Sequence, residues 1–280
     1  MKLIAALSVC LATVGSPMSA QKAGIGTWED ANYTMLDWVE RSDGLDWYYD
    51  WRPDQLWTSQ TARRSVEFVP MIHNARDVDT PIRSDLRVRA LLGFNEPDGA
   101  GSHQANMTVE EAIQLWPKLE AHGLRLGSPA ATQGNTLGAG SWLRRFMTET
   151  ERRGLRVDFI AVHYYSETGD PEEFRDWLRA VYREYRKPIW VTEFALVDWN
   201  APDRFDHIDN ARFIERAVPM LDAMSFVERY AWFAALPYPW PAGSPEVNLV
   251  DDRLQPTPAG TAYRRALNAR ALAVAGDAGS

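Results

Sequence analysis

Eight short apolar runs, rich in β-branched and aromatic residues, recur along the chain and leave few folds open to it. They are Ala23-Trp28, Leu45-Trp51, Glu67-His73, Arg89-Asn95, Arg125-Pro129, Phe159-Tyr165, Pro188-Phe194 and Val227-Ala234. Helix-compatible stretches separate most of them. Thr108 to Glu111 forms a capping box before Ala112 to His122, and Ser141 caps Trp142 to Arg152. Asp170-Pro171 opens a helix through Tyr185, and Asp209 to Ala223 is another. Gly123 and Gly154 stand where C-terminal caps belong. Eight such units in about 250 residues match an α/β fold of the (β/α)8 TIM-barrel type better than a doubly wound sheet. Only Ala31 to Arg41 reads as helix between the first two runs, so some helices are expected to be missing or irregular. A helix is expected from Ala266, fraying into a small-residue tail at Ser280. With 45% of 280 residues hydrophobic, the chain can bury a large core, and no linker divides residues 21–280, which read as one domain.

The first twenty residues read as an export leader. Lys2 is a positive n-region, Leu3 to Val14 an apolar stretch, and Ser16 to Ala20 a small-residue cleavage region. The run is too short to span a bilayer permanently. Leu7-Ser8-Val9-Cys10 offers a rival lipobox reading, weakened by the early position of Cys10 and the size of Val9. With the leader removed, the only cysteine leaves as well, and a secreted or periplasmic protein without disulfides is expected. No membrane association is expected after that step. A net charge of −8 gives no electrostatic footprint for nucleic acid. Five scattered His residues and no Cys cluster argue against a structural zinc site. A monomer is expected.

Active sites of such barrels lie where the strands end, and two carboxylates stand there. Glu96 closes the fourth run and Glu193 the seventh, which a barrel places across one cleft. Two carboxyl groups facing across a cleft are the minimal equipment for glycosidic cleavage. Taken alone, Glu96 also reads as a polar turn residue beside Pro97. A carboxylate within an apolar strand, as at Glu193, needs partners against its desolvation. In the sixth run, alternation puts His163 and Tyr165 on one face and Tyr164 on the other, so that Tyr165 can bond a neighbouring carboxylate. A lone barrel histidine is ordinarily a satisfied core residue, but His163 shares its strand end with the proposed site. In the eighth run Trp232 shares a face with Tyr230 and is expected to floor a sugar site. Trp47, Tyr48, Tyr49 and Trp51 are too many for one inward face, and Trp51, nearest the strand end, is assigned to the cleft.

These segments, together with Val69-Pro70-Met71, Gly93-Phe94-Asn95-Glu96-Pro97-Asp98, Asn106-Met107-Thr108, Trp116-Pro117, Ser128-Pro129-Ala130 and Trp190-Val191-Thr192-Glu193-Phe194, resemble family 128 of the glycoside hydrolases. The resemblance runs from about Trp47 to Trp232. It implies a clan A barrel acting on β-1,3-glucan, with Glu96 as acid/base, Glu193 as nucleophile and Asn95 beside the sugar 2-hydroxyl. It also implies retention, which requires the carboxyls to be about 5 to 5.5 Å apart. Met71-Ile72-His73-Asn74 departs from relatives that carry an aromatic at the end of strand three, leaving His73 and Asn74 as candidate sugar contacts of open detail. In this scheme Glu96 requires a raised pKa and Glu193 an ionised carboxyl, and no metal or cofactor is needed.

A β-1,3 chain is helical, so its recognition calls for aromatic platforms at differing angles, and Trp28, Trp51 and Trp232 end three strands that are neighbours around a barrel. Internal cleavage is expected because no long insertion walls off one end of the cleft, although Ala235 to Pro258 can do so in part. Two alternatives stay open. One is a clan A enzyme for another β-linked polysaccharide, and the other is a glucan-binding barrel without catalysis.

Overall fold

The computed structural model describes residues 21–58, 64–238, 241 and 243–277. The expected leader, Cys10 included, and the last three residues of the tail lie outside the described residues. Eight strands form within them: β1 (Ala23–Thr27), β2 (Trp47–Tyr49), β3 (Glu67–Phe68), β4 (Ala90–Leu91), β5 (Arg125–Leu126), β6 (Ile160–Ser166), β7 (Ile189–Leu196) and β8 (Val227–Ala235). Six helices accompany them: α1 (Met35–Glu40), α2 (Val109–Glu120), α3 (Trp142–Arg153), α4 (Pro171–Tyr185), α5 (His207–Ala223) and α6 (Pro258–Asp277). All strand pairs are parallel, in the order β3-β2-β1-β8-β7-β6, with β4-β5 as a second sheet. Single parallel bridges, Met71 with Leu92 and Gly127 with Phe159, join β3 to β4 and β5 to β6. The eight strands therefore follow one another around a ring, and the fold is α/β and TIM-barrel-like. Among the described residues no α-helix lies between β2 and β3 or between β3 and β4, the irregularity expected of the early units.

Capping chemistry sets where the helices start. Thr108 and Glu111 close the anticipated capping box, Ser141 accepts from Arg144 N–H, and Asp170 accepts from Glu172 N–H. Helix α1 is shorter than expected, because Asp30 accepts from the backbone N–H and hydroxyl of Thr34 and holds a turn where the helix would have begun. Helix α5 starts two residues before Asp209, since Asp206 is its cap. Helix α6 starts at Pro258 rather than Ala266, with the Thr257 hydroxyl accepting from Gly260 N–H.

Two cores result. The larger lies between strands and helices and includes Phe94, Trp116, Phe174, Phe194, Tyr230 and Trp232. The smaller fills the barrel interior with Trp47, Tyr49, Met71, Leu92, Phe159 and Trp190, the last two stacked at 4.0 Å between ring centroids. At the foot of the barrel the Arg229 guanidinium lies 4.5 Å from the Trp190 ring centroid and pairs with Glu67 at 2.6 Å. Helix α6 ties the ends of the ring together. Its Tyr263 hydroxyl donates to the Gly24 carbonyl at 2.6 Å, and Arg270 bridges Asp46 at 2.5 Å and Asp222 at 3.2 Å.

Candidate active site

The carboxyl ends of β4, β6, β7 and β2 converge on one cluster. Beyond β4 the chain continues extended through Asn95, which bridges Ala130, and Glu96 follows with φ +42° and its N–H donating to the Ala130 carbonyl at 2.7 Å. A glutamate held in the left-handed region is strained, and such strain persists only where the surroundings over-determine it. Trp51, at φ +56°, is a second such residue at the same mouth. Glu193 sits within β7 in register with His163 on β6.

His163 joins the two acids. It is fully buried, with Nδ1 3.0 Å from Glu96 Oε1 and Nε2 3.4 Å from Glu193 Oε1. Both carboxylates thus lie within reach of one imidazole. Burial by itself would lower the His163 pKa, but the charge of Glu193 and the hydrogen bond to Glu96 overcome it and raise the pKa above its ordinary value. Glu96 answers in the opposite sense. Burial would raise its pKa, yet the hydrogen bond from His163, the charge on that ring and a bond from Gln104 hold it below the usual carboxylate value. The raised Glu96 pKa expected from the sequence is therefore not what this arrangement produces: the imidazole beside it favours the ionised carboxylate.

Around Glu193 the donors are aromatic. Trp51 Nε1 donates to Oε1 at 2.9 Å, and the Tyr165 hydroxyl makes a short bond to Oε2. The Tyr49 hydroxyl lies 3.3 Å from Oε1 and 2.9 Å from the Thr192 carbonyl. Burial first, and the Glu193 charge second, push both tyrosines far above their ordinary pKa, so both stay protonated donors. Tyr164 packs outward on Phe174 at 4.0 Å, confirming the alternation read for β6.

The other expected contacts divide. Trp51 and Trp28 stand together at the mouth, their rings 6.3 Å apart, with the Arg52 guanidinium 5.0 Å from the Trp28 ring. Asn95 is buried, its Nδ2 donating to the His103 carbonyl at 3.2 Å and its Oδ1 without a partner. Asn74 is turned to its own loop, its Nδ2 3.1 Å from His73 Nδ1 and its Oδ1 accepting from Arg76 N–H, so it orients His73. Trp232 is a correction. It does share a face with Tyr230, but that face points to the helices: the ring is fully buried against Phe194 and Tyr263, and Nε1 donates to the Val247 carbonyl. Phe233, one residue on, takes the inward place, 6.0 Å from Trp51 and 5.6 Å from Tyr165.

Four residues of the cluster went unassigned in the sequence. Tyr49 has the same strand parity as Trp51, a signal that was available. Phe233 was hidden behind the choice of Trp232. Trp199, half exposed and 5.1 Å from Tyr165, and Gln104, 2.8 Å from Glu96 Oε2, lie on loops where no periodicity marks them. Among the described residues no group of three or more His, Cys, Asp or Glu side chains is placed to hold a metal ion. A buried and a half-buried carboxyl sharing an imidazole under an aromatic rim are equipped for proton transfer and nucleophilic attack at one carbon.

Comparison with known proteins points the same way. The family model described as glycosyl hydrolase catalytic core matches residues 26–263. Alkali-sensitive linkage protein 1 of Schizosaccharomyces pombe is 30% identical over 197 residues, covering 68% of this chain and 34% of the relative, so the match spans about a third of that protein's length. A solved endo-β-1,3-glucanase of glycoside hydrolase family 128, subgroup I, from Amycolatopsis mediterranei, a mutant in complex with laminarihexaose, is 37% identical with a TM-score of 0.75, covering 88% of this chain and 99% of that one. A subgroup V exo-β-1,3-glucanase of the same family from Cryptococcus neoformans is 25% identical with a TM-score of 0.72, covering 88% and 99%.

Proposed function

Since the chain belongs to the glycosyl hydrolase catalytic core family, and within it to glycoside hydrolase family 128, we propose that it is an endo-β-1,3-glucanase working by retaining double displacement. Glu96 is the acid/base and Glu193 the nucleophile. The observation that carries this reading is the single buried imidazole of His163 lying between the two carboxyls. In the first step a carboxylate oxygen of Glu193 bonds to the anomeric carbon while the glycosidic oxygen leaves with a proton from Glu96. His163 Nδ1, hydrogen-bonded to Glu96 Oε1, couples the charge of the imidazole to the protonation of that acid. Esterification removes the Glu193 charge, and with it one of the two anions that favour the imidazolium. In the second step Glu96 takes a proton from water, whose oxygen bonds to the anomeric carbon and frees Glu193. Asn95, with a buried acceptor lacking a partner, suits a sugar hydroxyl.

Internal cleavage of β-1,3-glucan is supported by the likeness to the subgroup I enzyme and by aromatic faces at several angles around the mouth: Trp28, Trp51, Phe233 and Trp199. A helical glucan presents its sugars at changing angles and suits such a rim. Export through the leader at residues 1–20 is part of the same proposal, and mass spectrometry of the protein from its host reads it directly. Digestion of linear β-1,3-glucan tests the activity. A ladder of oligosaccharides with a rapid fall in viscosity is expected, with the β-anomer formed first by NMR. Glucose alone at the earliest times would overturn internal cleavage, and initial α-anomer would overturn retention. Glu193→Gln should lose several orders of magnitude in turnover, whereas a loss under about tenfold, roughly 1.4 kcal/mol of barrier, would remove the nucleophile assignment.

A further inference from the structure

After Glu96 the chain leaves the barrel through Pro97, Asp98 and Gly99 and returns over its mouth at His103–Ala105 before α2. The return is fastened. Ala105 N–H donates to the Asn95 carbonyl at 2.8 Å and Met107 N–H to the Pro97 carbonyl at 2.7 Å. Within this loop the Gln104 side chain folds inward. Gly101 N–H donates to Gln104 Oε1 at 2.7 Å, which settles the orientation of the amide, and its Nε2 then donates to Glu96 Oε2 at 2.8 Å. Two glycines make the space. A Cβ on Gly99 would lie 2.1 to 2.2 Å from the Gln104 amide, and one on Gly101 2.9 Å from its oxygen.

We infer that Gln104 is a positioning residue for the acid/base, an inference that rests on Glu96 having that role: its amide donates to Oε2 of Glu96 and favours the ionised carboxylate, so protonation of Glu96 works against this bond. The geometry leaves little else. Glu96 Oε1 faces His163 Nδ1 at 3.0 Å and accepts its N–H while the ring is charged. Oε2 is the oxygen remaining for a proton, and there Gln104 presents an N–H, which cannot accept one. A glycosidic oxygen arriving at Glu96 is the group fitted to take Gln104's place. The titratable groups that act on Glu96 are His163 and Tyr165 on β6, Tyr49 on β2 and His73 beyond β3, while Glu193 on β7 and Asp98 on the same loop act on its partner His163. Of these, His163 alone is hydrogen-bonded to Glu96 among the described residues. Donors to the ionised form lower a carboxyl pKa, in keeping with the direction found for Glu96.

The test is a 13C NMR titration of the Glu96 carboxyl in the full chain labelled at glutamate, the signal being assigned by its absence in Glu96→Gln. Gln104→Leu removes the donor and keeps the bulk. Gly99→Ala drives the amide away without touching Glu96. Both should raise the Glu96 midpoint by about one pH unit, tenfold in proton affinity. A midpoint in Gln104→Leu equal to that of the parent overturns the inference, and this variant decides alone should Gly99→Ala not fold. Azide rescue of Glu96→Ala on an activated aryl β-glucoside reads the acid/base role separately. Rescue with an unmoved midpoint removes only the role of Gln104, and the absence of rescue removes both.

Discussion

An imidazole buried between two carboxylates carries its proton to higher pH than a free histidine does, and His163 makes the Glu96 pair hold one proton where a lone carboxyl would not. The sign follows from the raised His163 pKa. Stability and acid function that depend on this proton are fully present below about pH 6.5, the ordinary histidine value, and fade as pH climbs through the raised one. His163→Asn should therefore move the alkaline limb of the kcat/KM profile to lower pH, because a carboxyl alone then holds the proton. A limb that stayed in place would mean that the imidazole does not share it. Two tryptophans give a second comparison at the same scale. Trp232→Ala removes a fully buried ring and should cost about 3–5 kcal/mol in urea unfolding, with kcat/KM of the folded protein near that of the parent. Trp199→Ala removes a half-exposed ring beside Tyr165 and should leave stability within about 0.5 kcal/mol while raising KM for long glucans. Interchanged results would restore Trp232 to the cleft.

At the scale of elements, β1 matters for what it lacks. A Cβ on Gly24 would meet the Trp47 indole at 2.4 Å, and one on Gly26 would meet the Trp51 indole at 2.7 Å and the Tyr49 hydroxyl at 3.1 Å. Trp47 is deep packing, whereas Trp51 donates to Glu193. Gly24→Ala should accordingly lower the unfolding midpoint, and Gly26→Ala should reduce kcat by more than tenfold at a modest stability cost, read by initial rates on folded protein. The strands and most helices were legible in the chain because apolar runs, capping residues and Gly stops each carry a local cause. Thr108, Ser141 and Asp170 did what their types dictate. The face of Trp232 was not legible, since both faces of a barrel strand are apolar and alternation gives parity without telling inside from outside. Correct parity at Tyr230 and Trp232 thus came with the wrong side. Gln104 and Trp199 lie on loops, where their positions depend on distant contacts rather than on any period. The two carboxyls were legible as a pair because a barrel sets their strand ends across one cleft, Glu193 needing partners against desolvation where Glu96 alone also fits a polar turn, but the lowered pKa of Glu96 depends on a neighbour from β6 that only the fold supplies.

For the molecule as a whole, the ring is held shut by β1 pairing with β8 and by α6 lying across both. Arg270 serves Asp46 beside β1 and Asp222 beside β8, with only 8% of its side chain exposed. Arg270→Ala would leave two partly buried acids without their cation and should cost about 3–5 kcal/mol in urea unfolding, at a catalytic rate close to the parent's. A cost below about 1 kcal/mol would mark the bridge as incidental. The same clamp orders events during synthesis. Asp46 emerges from the ribosome 224 residues before the arginine that neutralises it, and the Gly24 carbonyl 239 residues before the tyrosine that caps it. The first strand must therefore wait, with one edge unpaired, until β8 and α6, more than 200 residues later, have been made. Closing of the barrel thus comes long after its first strand is made, and any helper that shields an unfinished chain has the edge of β1 as its natural place to hold.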